Sequence, residues 1–173
     1  MTPVTRGWRI ERRTLAHPDA ARLVERVQAE YAVLYGNPDS APMEADEFAS
    51  GRGAFLVGFL DGEPVASAAW RWHEVPAGVL VGPAVELKRM YVVPEVRRRG
   101  LARAMLEAVE ADALAAGARS TVLETGLRQP EAIALYLSAG YREVPGFGHY
   151  RWSPLSRCYA KELDLSGRSA PPE

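Results

Sequence analysis

The stretch MYVVPEVRRRGLARAMLEAVE, Met90 to Glu110, joins two kinds of chain that cannot belong to one element. VELKRMYVV is a β-rich apolar run stopped by Pro94, which cannot continue a central strand. Leu101, Ala104, Met105, Ala108 and Val109 then recur at three- and four-residue spacing, the mark of a helix buried on one face. A strand that hands over to a helix, followed by the further β-rich run RSTVLET after Gly117, implies a crossover and some parallel pairing. The junction carries Arg97, Arg98, Arg99, Gly100 and Arg103. A helix start exposes unpaired N–H groups and positive dipole character, and glycine there lets backbone approach a ligand. An arginine run alone reads as a solvated basic turn. With Gly100 between strand and helix and the small Ala102 after it, the junction reads as an anion site.

The rest of the chain constrains that reading. Its 173 residues suit one domain with a sizeable core. The 21 basic and 22 acidic residues nearly cancel, so an anion site must be local, and a general affinity for nucleic acid or membrane is not expected. The arginine turn lacks the interleaved aromatic residues of an RNA-binding surface. Cys158 is the only cysteine, which rules out an internal disulfide and reads as a small core residue. His17, His73 and His149 show no metal-ligand spacing with each other or with Cys158, and no metal is expected. The start has no apolar leader stretch and no run is long enough to span a membrane, so a cytoplasmic protein is expected.

Along the chain, Trp8–Thr14 reads as a strand, and Asp19 as a cap for a helix presenting Leu23, Val24, Val27, Tyr31, Leu34 and Tyr35. GNPDSAP is a loop, and MEADEF a short helical turn. Asp61–Gly62 between GAFLVGFL and EPVASAAWRWHEV is a hairpin signal. PEAIALYLSAG places Pro130 near a helix start and Gly140 past its end. YREVPGF and SRCYAKEL read as the last two strands. The order β-α-(α)-β-β-β-α-β-α-β-β predicts an α/β fold, a central mixed sheet of six to seven strands with helices on both faces. It forms a single domain over residues 1–165, followed by a flexible tail over 166–173.

Val92, Pro94, Arg97, Gly100 and Ala102 spell V-x-P-x-x-R-x-x-G-x-A, and AIALYLSAGY follows from Ala132 to Tyr141. This pair, in this order, resembles the acyl-CoA signature and the later helix of the GNAT superfamily of N-acyltransferases. The resemblance covers Phe55 to Leu163. It implies acetyl-CoA as cosubstrate and N-acetyl transfer to a primary amine by direct attack in a ternary complex. It also implies a coenzyme site formed by Met90, Tyr91, Val92, Arg97, Arg98, Arg99, Gly100, Leu101, Ala102 and Arg103. Many relatives carry an Asn seven residues before the helix tyrosine. Gln129 stands there in this chain and can make similar hydrogen bonds, so it joins the coenzyme set.

By the same resemblance Tyr136 is the acid that protonates the departing thiolate, and Glu86 a general base acting through water. Glu124, ending the next strand, is its rival. Without the resemblance Tyr136 reads as a core aromatic beside Ile133 and Leu137, and Glu86 as a solvated strand opener. The acceptor side is expected from the first helix, the loop Gly36–Asp46 and the segment Pro145–Pro154. Tyr31, Tyr35, Trp70, Trp72, Phe147, His149 and Tyr150 are candidate lining. A small-molecule amine, an amino acid or a peptide N-terminus all fit, as does a homodimer. A non-catalytic acyl-CoA sensor is the competing reading.

Overall fold

The computed structural model describes residues 6–76 and 78–164. Its elements in chain order are β1 (Trp8–Arg13), α1 (Pro18–Tyr35), β2 (Gly53–Leu60), β3 (Glu63–His73), β4 (Ala84–Val92), α2 (Leu101–Ala115), β5 (Ser120–Gly126), α3 (Pro130–Ser138), β6 (Arg142–Val144) and β7 (Ser156–Glu162). A 3-10 turn at Ala45–Phe48 fills the position expected of MEADEF. The seven strands form one mixed sheet in the order β1-β2-β3-β4-β5-β7-β6. The tail expected over 166–173 lies outside the described residues.

The local signals act where the sequence places them. Asp61 and Gly62 both take positive φ, 51° and 88°, as a tight hairpin between β2 and β3 requires. Gly36 closes α1 in the left-handed conformation. One cap differs from expectation. His17, not Asp19, caps α1: its Nδ1 accepts the Asp19 N–H at 3.2 Å, and Pro18 occupies the first helical turn. Proline favours that position because its missing N–H is one the helix start leaves unpaired anyway. Asp19 therefore stands second in the helix, where its charge still complements the helix dipole.

Helices α1 and α2 both pack against β2, β3 and β4, on opposite faces. Alternation along β3 shows the division. Trp70 is buried and its indole N–H donates to Asp112 of α2 at 2.7 Å. Its neighbour Arg71 turns to the other face, toward Glu47 and Glu86. Leu23 and Val27 of α1, Phe55 and Val57 of β2, and Met105, Leu106 and Val109 of α2 are essentially inaccessible. Each side chain of that size contributes about 1.5–3 kcal/mol on burial.

Two interruptions in β4 position the site. The first is where it meets β5. The parallel pairing holds only for Ala84↔Ser120, Val85↔Thr121 and Glu86↔Val122. Beyond Glu86, β4 continues with β3 as far as Val92, while β5 continues with β7 as far as Gly126. The sheet therefore opens into a wedge between Leu87–Val92 and Leu123–Gly126. The second is a bulge, where the β3–β4 register shifts between Ser67 and Ala69. Arg89 sits there with φ 53°, a left-handed conformation that costs a non-glycine residue about 1–2 kcal/mol. Consecutive side chains of a regular strand face opposite sides. Across this bulge Lys88 and Arg89 both reach Asp39.

Candidate active site

The wedge exposes a strand edge. The Val93 N–H donates to Val65 O on β3, and N–H directions alternate along a strand. The N–H groups of Met90 and Val92 therefore point away from β3, into the wedge, and Tyr91 points back to its partner Ser67. The Val92 carbonyl faces the same way and accepts from Arg97 Nε at 2.8 Å. The side chains of Tyr91 and Val92 are buried packing.

At the wide end of the wedge α2 begins. Gly100 is its N-cap with φ 78°, and no side chain caps the first turn. Leu101 is core, and Ala102 packs against it. The backbone N–H groups of this turn thus remain open to an anion. The arginines divide in two. Arg97 is held by both carboxylate oxygens of Glu30 at 2.9 Å, and Arg103 donates to Ser138. Arg98 and Arg99 have no hydrogen-bond or ion-pair partner among the described residues. Gln129, the N-cap of α3, donates to the Tyr35 hydroxyl at 3.3 Å and makes no cap bond of its own.

Tyr136 lies on the buried face of α3, 5% exposed, with its ring 5.6 Å from that of Tyr141. Burial pushes its phenol above the ordinary value, and the Tyr31 phenol adds to the shift. No hydrogen bond holds its hydroxyl among the described residues. Burial raises Tyr31 itself to about 12.

On the far side of the wedge lies a cleft of about 510 Å³, lined in part by Trp72, His73, Glu86, Phe147 and His149. The two carboxylates proposed from sequence differ sharply. Glu86 is 4% exposed and tied to Arg71 Nη2 at 2.8 Å and Nε at 3.0 Å. Arg71 also donates to Glu47 and to the Pro42 carbonyl. Glu124 has no such cation. Burial raises its pKa above the ordinary carboxylate value, opposed by the Tyr150 N–H that donates to it at 3.2 Å. Lys88 lies close enough to lower it further, without an ion pair. Burial lowers the pKa of His73, whose ring packs 4.9 Å from Phe147. The Cys158 thiol is buried and raised, as a core residue should be.

The expected acceptor segments do meet. Tyr150 O–H donates to Asp39 at 2.9 Å, the Ser40 N–H donates to Tyr150 Oη at 2.7 Å, and Ser40 Oγ lies 3.2 Å from His149 Nε2. Gln28 on α1 clasps Asp39 through both backbone groups. The 36–44 loop is thereby stitched to the 145–154 segment above Glu124. Trp70 does not join them, since β-alternation turns it to the α2 face. Asp39, Lys88 and Arg89 escaped the sequence reading, because only the bulge and the loop closure bring them together, and Arg71 escaped it because its partners Glu47 and Glu86 lie on other segments. No group of three or more His, Cys, Asp and Glu among the described residues could hold a metal.

Residues 22–141 match the acetyltransferase (GNAT) family. This chain belongs to that family. Among solved structures, an acyl-CoA N-acyltransferase fold from Klebsiella pneumoniae superposes with TM-score 0.74 at 25% identity, covering 91% of this chain and 98% of that one. A GNAT family acetyltransferase from Elizabethkingia anophelis, solved with acetyl-CoA bound, superposes with TM-score 0.64 at 14% identity, covering 91% and 99%. In sequence, an IAA acetyltransferase of Azospirillum brasilense is 42% identical over 78 residues, 45% of this chain. The GNAT chain described here spans about half the length of that curated relative, 51%. No helix among the described residues is long and apolar enough to cross a membrane.

Proposed function

We propose that this GNAT protein transfers the acetyl group of acetyl-CoA to a primary amine by direct attack in a ternary complex. The observation that carries the reading is the wedge. It leaves the Met90 and Val92 N–H groups without sheet partners on one edge and carries Glu124, a carboxylate of raised pKa, on the other; the buried Tyr136 phenol, unbonded among the described residues, supports the same reading.

Acetyl-CoA fits the residues present. The uncapped, glycine-headed start of α2 suits a pyrophosphate, Arg98 and Arg99 have charge to spare, and the Met90–Val92 edge has donors without sheet partners. When bound, the coenzyme supplies an acyl carbon activated as a thioester. The Met90 N–H is the donor placed to hold the acyl oxygen. Glu124, not Glu86, takes the proton of the attacking amine. Glu86 is neutralised by Arg71, whereas Glu124 has no ion-pair partner among the described residues and a pKa moved toward the working range of a base. The Tyr136 hydroxyl gives its proton to the departing sulfur as the C–S bond breaks and the new C–N bond stands. A phenol is protonated at neutral pH and so has that proton to give.

The test is thiol release from acetyl-CoA against a panel of amines. Release that depends on an amine supports acetyl transfer. Coenzyme binding with no release from any amine would instead favour a sensor.

A further inference from the structure

A second cavity, of about 460 Å³, lies between α1 and the loop after it, lined by Leu15, Val24, Gln28, residues 39–41 and Met43, with Ala21 and Arg89 among its walls. Arg89 is set there by the bulge. Its side chain is 4% exposed, and Asp39, its ion-pair partner, is 13% exposed. That bond uses Nη1. The Nε of Arg89 is buried without any hydrogen-bond partner, and Nη2 has none among the described residues. Lys88, 10% exposed, shares the same Asp39 carboxylate at 3.9 Å. Two nearly buried cations thus lean on one carboxylate. Neither has another ion pair among the described residues, and a buried charge short of a counter-charge is costly. Glu25 also lines the cavity but stands exposed at its rim. The acceptor cleft offers a contrast, because Arg71 there has spent its donors on Glu86, Glu47 and Pro42.

Resting on the acetyl-transfer reading, we propose that the acceptor carries a carboxylate as well as its amine, and that the carboxylate binds Arg89 in the cavity under α1. The acceptor class is then amino acids. Arg89 acts as a specificity residue, and its strained backbone is what turns the guanidinium to this side of the sheet. Asp39 ties the site to chemistry, since it accepts from Tyr150, whose N–H donates to Glu124.

Thiol release is measured with the common amino acids, and each that reacts is compared with its own amide. A fall of tenfold or more in kcat/KM on amidation is expected for the wild-type protein. Arg89→Gln should erase that preference, and Arg89→Lys should retain part of it. Should Arg89→Gln fail to fold, Ala21→Glu sets a negative charge on the cavity wall at an exposed helical position and should also weaken the preference. Amides that react as well as acids, or a preference that survives both variants, would overturn the proposal. A binding arm needs no turnover: N-acetylated amino acids should saturably raise Tm of the wild type and not of the Arg89 or Ala21 variant. If they do while no amine releases thiol, the carboxylate site stands and acetyl transfer falls. If amines release thiol with no effect of a carboxylate in either arm, acetyl transfer stands and the carboxylate site falls.

Discussion

The two halves of β4 are built on different principles. Its first half, Ala84–Glu86, is ordinary mixed sheet, antiparallel to β3 and parallel to β5, with both edges paired and its one carboxylate locked to Arg71. Its second half has lost β5, carries the Arg89 bulge, and leaves backbone groups facing open space. The first half is closed on both sides, and the second half is where the proposed chemistry lies. A charged residue in the closed half is therefore better explained by stability, and an unpaired group beside the open half by function.

The largest expected effect sharpens that division at the open half. Tyr136→Phe removes only a hydroxyl that has no hydrogen-bond partner among the described residues. Loss of a general acid costs about a hundred- to ten-thousand-fold in rate, so kcat should fall in that range while Tm and acetyl-CoA affinity stay close to wild type. An unchanged kcat would return Tyr136 to packing. Next is Gly100→Glu, which sets a carboxylate at the start of α2 in a left-handed position. The new carboxylate takes the place at the positive helix start that the pyrophosphate needs and repels it; an anion there is worth up to about 2 kcal/mol, or roughly thirtyfold in Kd for acetyl-CoA. Wild-type affinity in a folded variant would remove the turn from the coenzyme site.

The paired substitutions Glu86→Gln and Glu124→Gln set the halves directly against each other. Removing one partner of a buried ion pair costs about 3–5 kcal/mol, so Glu86→Gln should lower Tm. Glu124→Gln should lower kcat instead and abolish a rising limb of the pH–rate profile that lies above the ordinary carboxylate range. Its stability should move the other way. A carboxyl whose pKa is raised in the fold favours folding below its unfolded pKa, and that contribution is lost as pH rises through the folded pKa. Gln escapes this loss, so the Tm advantage of Glu124→Gln over wild type should grow from mildly acidic to neutral pH. A stable Glu86→Gln with a lost pH limb would exchange the two roles. The smallest effect is a weakening of coenzyme affinity by added salt, a few-fold at most, because Arg98 and Arg99 are exposed and screened. A titration at low and high ionic strength measures it.

The legible parts of the molecule were those specified by neighbours in the chain. Asp61–Gly62, Gly36, Pro130 and the 3.6-residue periodicity of α2 each fix a local conformation, and the strand–helix alternation then leaves few topologies. The glycine-headed helix start expected to hold the coenzyme was legible for the same reason, since a helix start and its glycine are local. The choice between the two candidate bases was not. Glu86 and Glu124 differ only in whether an arginine from another strand lies beside them, and sequence spacing carries no sign of that. Arg89 was hidden for a further reason. Residue alternation sends adjacent side chains to opposite faces, and a bulge that no glycine announces reverses the rule at one position.

The parted strands leave a kinetic signature. Amides within a hydrogen-bonded ladder exchange with solvent deuterium only when the structure opens, and so report a large protection factor. Met90 and Val92 lie in the middle of a seven-stranded sheet, where uniformly slow exchange is the usual expectation. Their N–H groups face the wedge, so they should exchange much faster than Tyr91 between them. Deuterium uptake along this tripeptide should alternate fast, slow, fast in the free protein.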